Sequence, residues 1–295
     1  MLLYGAPIVK KLFQETSTRI KQYCHDNEYV VFFLFSENKP SQVYVAKKSS
    51  YAEKLWLQTK VIEVNNLSKE QTIDSIQEAN KDANCRGIVV QLPLAPWLQP
   101  FQAEILCTVA PEKDIDGLWG VMFWLSLSNL VDFLPATPKA VLEMLNWYGY
   151  QDLEGKTVSI IGQSNLIGKP LSAICMDRGA TVMSFNANSD RNVMKETCLQ
   201  SDIIVTATGV AHLITPDFFW ISDSQKLREY LTWKVIIDVW WGIEGGKARW
   251  DTDRQALIEY WVVITPVPGG VGPVTVASLF HNLISISQIG SYKFI

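Results

Sequence analysis

Apolar and polar positions fall into blocks along this chain, and the blocks switch repeatedly between helical and strand period. Residues 6 to 24 carry Val9, Leu12 and Ile20 on one helical face, with charged or polar residues between them. Glu28 to Phe35 is almost wholly apolar and predicts a buried strand. After the turn Glu37-Asn38-Lys39-Pro40, a helix from Ser41 turns Val45, Ala52 and Leu55 inward. Spacings of i, i+3 and i+7 set Ser41, Tyr44 and Lys48 on one face of it. Lys60 to Val64 reads as a second strand, and Ser68-x-x-Gln71 as a capping box opening a helix to about Asp82. Gly87 to Leu92 is a third strand, stopped by Pro93 and Pro96.

The second half repeats the alternation. Thr137 as N-cap and Pro138 at the first helical position predict a helix to about Tyr148. Five short strands follow: Thr157 to Ile161, Ala180 to Phe185, Asp202 to Ala207, Lys234 to Val239 and Trp261 to Ile264. Alternating strands and helices predict an α/β fold with parallel pairing, and the second half has the makings of a Rossmann-type unit. Ile264 to Pro273, ITPVPGGVGP, cannot form a helix or regular strand. It joins a strand end to a helix with Pro273 in its first turn, a common place to hold a small ligand; a simple redirecting turn is the alternative.

Composition narrows the function. The 295 residues allow two domains, and a net charge of −4 with no basic stripe excludes a nucleic-acid partner. The longest apolar run, Leu118 to Leu127, is too short to span a bilayer, and no apolar signal region follows Lys10-Lys11, so a soluble cytoplasmic protein is expected. Five scattered cysteines without a CxxC pair predict free buried thiols, and three separated histidines predict no metal site. Eleven tryptophans are unusual for this length.

Gln91 is a polar amide ending an apolar strand. It either bonds its own turn or faces a ligand at the strand's carboxyl end alongside Lys48. Pro111 to Gly117 carries Asp-x-Asp-Gly and, taken alone, is compatible with a surface turn. Gly162-x-Ser164-x-x-x-Gly168 lies between a strand and a helix, the setting in which backbone N–H groups and a helix dipole meet a pyrophosphate. Its spacing departs from Gly-x-Gly-x-x-Gly, so the fingerprint alone is weak.

Four stretches in order resemble one family: Ser41-x-x-Tyr44-Val45-x-x-Lys48, Val90-Gln91-Leu92-Pro93-Leu94, Lys113-Asp114-x-Asp116-Gly117 and Pro266 to Pro273. With Gly162-x-Ser164-x-x-x-Gly168-x-Pro170, the chain is similar over nearly its whole length to the bifunctional methylenetetrahydrofolate dehydrogenase/methenyltetrahydrofolate cyclohydrolases. The resemblance implies a folate-binding catalytic domain (1–134 plus 272–295), a Rossmann-type NAD(P)-binding domain (135–271) and a cleft between them. It implies that Tyr44 packs on the pterin, Asp116 bonds its amino-pyrimidine edge, Lys48 is catalytic and Gln91 positions and tunes it. Val45, Val90, Leu92 and the loop Pro268, Gly269, Gly270, Val271 and Gly272 complete the implied substrate site. Gly162, Gln163, Ser164, Gly168, Ala187 and Trp241 form the implied cofactor site. NADP as cofactor, a homodimer and a place in one-carbon metabolism and purine biosynthesis follow from the same resemblance. A lysine in a partly desolvated site has a lowered pKa and exchanges protons near neutrality, which suits hydrolysis of a methenyl cation.

Two departures bear on the cofactor. Gln163 stands where the family carries an arginine for the 2′-phosphate, and Ala187 where it carries serine, so a weakened NADP preference and a shift to NAD are expected. Asp238-Val239-Trp240-Trp241-Gly242 stands where the family reads Asp-Val-Gly-Ile-Asn, placing tryptophan at a turn near the nicotinamide. Two other readings stay open: a different NAD(P)-dependent oxidoreductase, and a cyclohydrolase-dominant or catalytically weak folate- or nucleotide-binding paralogue.

Overall fold

Three apolar runs in the first half become three parallel strands. In the computed structural model, which describes residues 1–25, 27–118, 120–128, 133–219, 221–239, 242–244 and 247–289, the first elements are helix α1 (Ala6–Tyr23), strand β1 (Tyr29–Leu34), helix α2 (Lys39–Lys54), strand β2 (Gln58–Glu63), helix α3 (Lys69–Lys81) and strand β3 (Cys85–Val90). β1 is buried along its length and lies in the middle of the order β2-β1-β3, parallel to both neighbours. Phe33, Ile76, Ile88, Leu94, Leu98 and Ile105 meet in the core beside it. Each such side chain is worth roughly 1.5–3 kcal/mol on burial, ample to hold a short sheet. Helices α4 (Gln102–Cys107) and α5 (Gly120–Leu127) follow.

Helix starts obey their caps more closely than the periodicity suggested. α3 has the full capping box: Ser68 Oγ accepts from Gln71 N–H at 3.2 Å, and Gln71 Oε1 accepts from Ser68 N–H at 2.9 Å. α2 opens before Ser41, because Asn38 Oδ1 accepts from Ser41 N–H at 2.9 Å and Pro40 sits in the first turn. The Glu37 to Pro40 turn is therefore partly helix. Helix α6 (Ala136–Trp147) likewise begins at Ala136, so Thr137 lies inside its first turn and is not the N-cap.

The second half contains β4 (Thr157–Ile161), α7 (Gly168–Asp177), β5 (Thr181–Phe185), α8 (Arg191–Gln200), β6 (Ile203–Thr206), α9 (Ser224–Leu231) and β7 (Val235–Asp238). A hairpin of β8 (Gly242–Glu244) and β9 (Lys247–Arg249) follows, then α10 (Arg254–Ile258), β10 (Val263–Ile264) and α11 (Val271–Ile289). The five expected strands form one all-parallel sheet in the order β10-β7-β6-β4-β5. Strand order reverses at β4, so a crevice opens between the carboxyl ends of β4 and β6, where doubly wound sheets bind ligands. The hairpin was not foreseen from the sequence.

The chain divides into two units, 10–136 with 276–295, and 1–9 with 137–275. The first nine residues fall in the five-stranded unit by backbone contacts, whereas the family resemblance groups 1–134 together. Leu3 N–H donates to Ile264 O at 2.9 Å, and the N-terminal ammonium donates to Val262 O at 2.7 Å, so the chain start extends the β10 edge. No described helix is long and apolar enough to cross a membrane. None of the five cysteines is in a disulfide, but Cys107 is exposed and Cys24 half-buried, so burial holds only for Cys85, Cys175 and Cys198. Among the described residues no His, Cys, Asp and Glu group is suited to a metal ion.

Candidate active site

Lys48 sits on the inward face of α2 with only 3% of its surface exposed. Its Nζ donates to Gln91 Oε1 at 3.0 Å, lies 3.8 Å from Asp116 Oδ2 and stands 5.4 Å from the centre of the Tyr44 ring. Burial pulls the Lys48 pKa below its ordinary value; the carboxylate of Asp116 opposes that shift without cancelling it. A buried amine with one amide acceptor and one nearby carboxylate can hold a proton or release it at modest cost.

Local structure explains why these groups converge. Gln91 ends the run of β3, where its backbone N–H donates to Phe33 O at 2.9 Å. Its side-chain nitrogen donates to Leu92 O at 2.9 Å, leaving the oxygen for Lys48. One side chain thus bonds its own turn and Lys48 together. Ser41, on the Lys48 face of α2, donates to the same Leu92 carbonyl at 3.3 Å. Val45 and Val90 are buried beside this face and Leu92 is half-buried.

The Asp116 loop is held from several sides. Asp114 Oδ1 accepts from Gly117 N–H at 2.9 Å. A Cβ on Gly117, whose φ is +66°, would lie 2.4 Å from the Phe133 ring, so the turn needs glycine. Lys113 donates to the carbonyls of Ala79, Asn80 and Asp82 at the end of α3, which makes it a structural clamp. Asn282 on α11 donates to Ile115 O at 3.0 Å and Leu134 O at 2.9 Å. Sequence reasoning missed Asn282, although an amide within a largely apolar helix was the available signal.

The five-stranded unit carries the glycine loop after β4. A Cβ on Gly162 would lie 2.4 Å from Ala207 O, and one on Gly168 would lie 1.7 Å from Gly162 O. No side chain fits at either place, and the turn into α7 stays tight. Ser164 Oγ accepts from Ile167 N–H at 3.2 Å, and Ser164 O accepts from Lys169 N–H at 3.1 Å. A tight glycine turn feeding a ten-residue helix at the switch point of a parallel sheet fits the pyrophosphate of a dinucleotide. Gln163 Oε1 accepts from Asn186 Nδ2 at 2.7 Å, and Asn186 Oδ1 accepts from Asn188 N–H at 2.8 Å. Ala187 is exposed in that same turn. Asn186, which the sequence reading passed over, lies a little over twenty residues beyond Gly162, where dinucleotide folds place the ribose-binding residue. Trp241, with Trp240, lies outside the described residues.

In the proline-glycine loop, Gly5 N–H donates to Gly269 O at 2.8 Å, and a Cβ on Gly5 would meet Gly270 O at 2.3 Å. Chain start and loop are therefore pinned together. Gly270 and Val271 are buried, Val267, Gly269 and Gly272 half-buried, and Pro268 exposed.

A parallel sheet with a glycine turn at its switch point, in a chain that also holds a buried lysine between an amide and a carboxylate, defines a dinucleotide-dependent enzyme of two α/β units. Residues 3–116 match the catalytic domain, and residues 135–290 the NAD(P)-binding domain, of the tetrahydrofolate dehydrogenase/cyclohydrolases, and the chain belongs to that family. It is 32% identical to the bifunctional protein FolD of Lactobacillus gasseri, over 97% of each chain. Among solved structures, the bifunctional FolD methylenetetrahydrofolate dehydrogenase/cyclohydrolase of Campylobacter jejuni is similar at 29% identity and a TM-score of 0.83, covering 98% of each chain. The Trypanosoma brucei dehydrogenase-cyclohydrolase, solved with NADP and an inhibitor, shares the fold at 24% identity and a TM-score of 0.84, covering 99% of each chain. The chain is accordingly a methylenetetrahydrofolate dehydrogenase and methenyltetrahydrofolate cyclohydrolase that uses a nicotinamide dinucleotide.

Proposed function

We propose that Lys48, Gln91, Asp116 and Tyr44 carry the oxidation of 5,10-methylenetetrahydrofolate and the hydrolysis of the methenyl product to 10-formyltetrahydrofolate. One observation carries this reading: Lys48 Nζ, almost wholly buried, lies 3.0 Å from Gln91 Oε1 and 3.8 Å from Asp116 Oδ2. Tyr44 packs on the pterin, and Asp116 accepts hydrogen bonds from its amino-pyrimidine edge. Val45, Val90, Leu92 and the loop Pro268, Gly269, Gly270, Val271 and Gly272 complete the substrate contacts. Lys48 as the neutral amine takes a proton from the water that attacks the methenyl carbon, and Gln91 holds that amine without adding charge. A bound nicotinamide supplies the hydride acceptor for the first step. Gly162, Gln163, Ser164, Gly168 and Ala187 hold the dinucleotide. The same reading makes the protein a cytoplasmic homodimer serving purine biosynthesis.

Cofactor choice follows from charge. Gln163 is neutral and its oxygen is engaged by Asn186, and Ala187 has no hydroxyl. A charge-assisted contact to the 2′-phosphate is worth about 1.5–3 kcal/mol, so its absence shifts preference from NADP towards NAD by roughly ten- to a hundredfold. Steady-state kinetics with both cofactors, on the unmodified enzyme and on Gln163→Arg, test this. Arginine at 163 raises kcat/KM for NADP selectively; a strong NADP advantage in the unmodified enzyme refutes the NAD assignment.

A further inference from the structure

Asp251 is fully buried, yet one of its oxygens serves a single turn. Its Oδ2 accepts from Thr206 Oγ1 at 2.7 Å, from Thr208 N–H at 2.6 Å and from Thr208 Oγ1 at 2.9 Å. Those three donors bracket Ala207, whose carbonyl oxygen presses on Gly162 so closely that a Cβ there would lie 2.4 Å away. Oδ1 has no hydrogen-bond partner among the described residues. A buried carboxylate with one uncompensated oxygen is a poor device for stability alone. Neighbouring Thr252 donates through N–H and Oγ1 to Asp238 Oδ2, so the same segment also ties the end of β7. We propose that Asp251 is the positioning residue of the dinucleotide crevice, fixing the turn after β6 against the glycine loop so that the cofactor meets a preformed wall.

The proposal rests on dinucleotide binding by this unit, and calorimetric titration of the free enzyme with NAD+ and NADP+ separates the two claims. If the unmodified protein binds neither, the cofactor reading itself fails. If it binds, Asp251→Ala raises Kd at least tenfold for the dinucleotide while the far-UV spectrum and the thermal midpoint without cofactor stay within a few degrees. Asp251→Asn, which keeps an acceptor oxygen in the same place, recovers most of the affinity. Unchanged affinity in Asp251→Ala overturns the proposal, as does a fall in affinity matched by loss of the thermal transition, which marks a purely structural role.

A separate observation concerns the tryptophans. Trp56, Trp233 and Trp261 have φ of +59°, +64° and +60° in the described backbone. They are 71%, 70% and 61% exposed. Bulky L residues are outliers in that region, whereas glycine enters it freely. Trp56 N–H donates to Glu53 O and Leu57 N–H to Ala52 O, the helix-ending motif whose left-handed position is usually glycine. The rings fill no core; Lys21 over Trp56 and Arg228 over Trp261 are surface contacts. We infer that the cell making this protein inserts glycine at 56, 233 and 261, through UGA codons reassigned from stop to glycine. Sequencing the gene and mapping peptides of the protein from its own source test this. UGA codons with glycine in the peptides support it; UGG codons, or tryptophan in the peptides, overturn it.

Discussion

Replacing Lys48 with methionine removes cyclohydrolase turnover, by about a hundred- to ten-thousandfold, as expected when a positioned acid–base group is lost. Methionine has a similar reach and no charge, so it occupies the same buried place on α2 without the desolvation cost the ammonium carries. The fold is retained, and a thermal melt checks that. Dehydrogenase turnover is expected to fall with it, since in the proposed function the amine that contacts Gln91 and Asp116 also orders the substrate. The pH profile carries the same information. Burial lowers the Lys48 pKa, so the base form accumulates below the ordinary lysine range, and the hydrolysis rate rises with pH through that lowered value. Stability moves in the same direction: between the folded and unfolded pKa values the unfolded chain binds more protons, so stability rises with pH there. Unchanged turnover in Lys48→Met, or a profile flat until the ordinary lysine range, removes Lys48 from the chemistry.

Gly168→Ala is the most damaging single methyl in the five-stranded unit. Its Cβ would lie 1.7 Å from the Gly162 carbonyl oxygen, and Gly162 is itself held against Ala207 O with no room to retreat. The turn has to open, at a cost of about 1–3 kcal/mol typical of overpacking. An opened turn no longer aims the α7 N-terminus at a pyrophosphate, so dinucleotide affinity and dehydrogenase turnover are lost. Lys48, Gln91 and Asp116 lie in the other unit, and hydrolysis of supplied methenyltetrahydrofolate persists. Calorimetric titration with dinucleotide, run beside the hydrolysis assay, checks both halves. A Gly168→Ala protein that binds the dinucleotide normally contradicts the geometry.

Much of this was legible in the chain itself because the signals are local. Strand β4 was read at its observed bounds, since apolar β-branched residues end there in a glycine turn. Lys48 and Tyr44 were placed on one face by helical spacing, and the structure sets Nζ 5.4 Å from that ring. What escaped depends on contacts distant in sequence. Asn282 reaches Ile115 and Leu134 from a helix far along the chain, and Asp251 reaches back to Thr206 and Thr208. No periodicity encodes such pairs. Lys113 stands beside Asp-x-Asp-Gly in the sequence, and its ammonium bonds three backbone carbonyls, a role only the fold reveals. The pairing of the chain start is illegible for the same reason: its hydrogen-bond partner is β10, hundreds of residues later.

The central claim is that one chain performs both steps, and the absorbance of the methenyl-folate chromophore follows both at once. With methylenetetrahydrofolate and NAD+ or NADP+, the absorbance rises and then decays as hydrolysis overtakes oxidation. Methenyltetrahydrofolate supplied alone decays faster than its uncatalysed rate, and Lys48→Met removes the excess. A preparation that forms no chromophore with either dinucleotide and does not accelerate its decay contradicts the account.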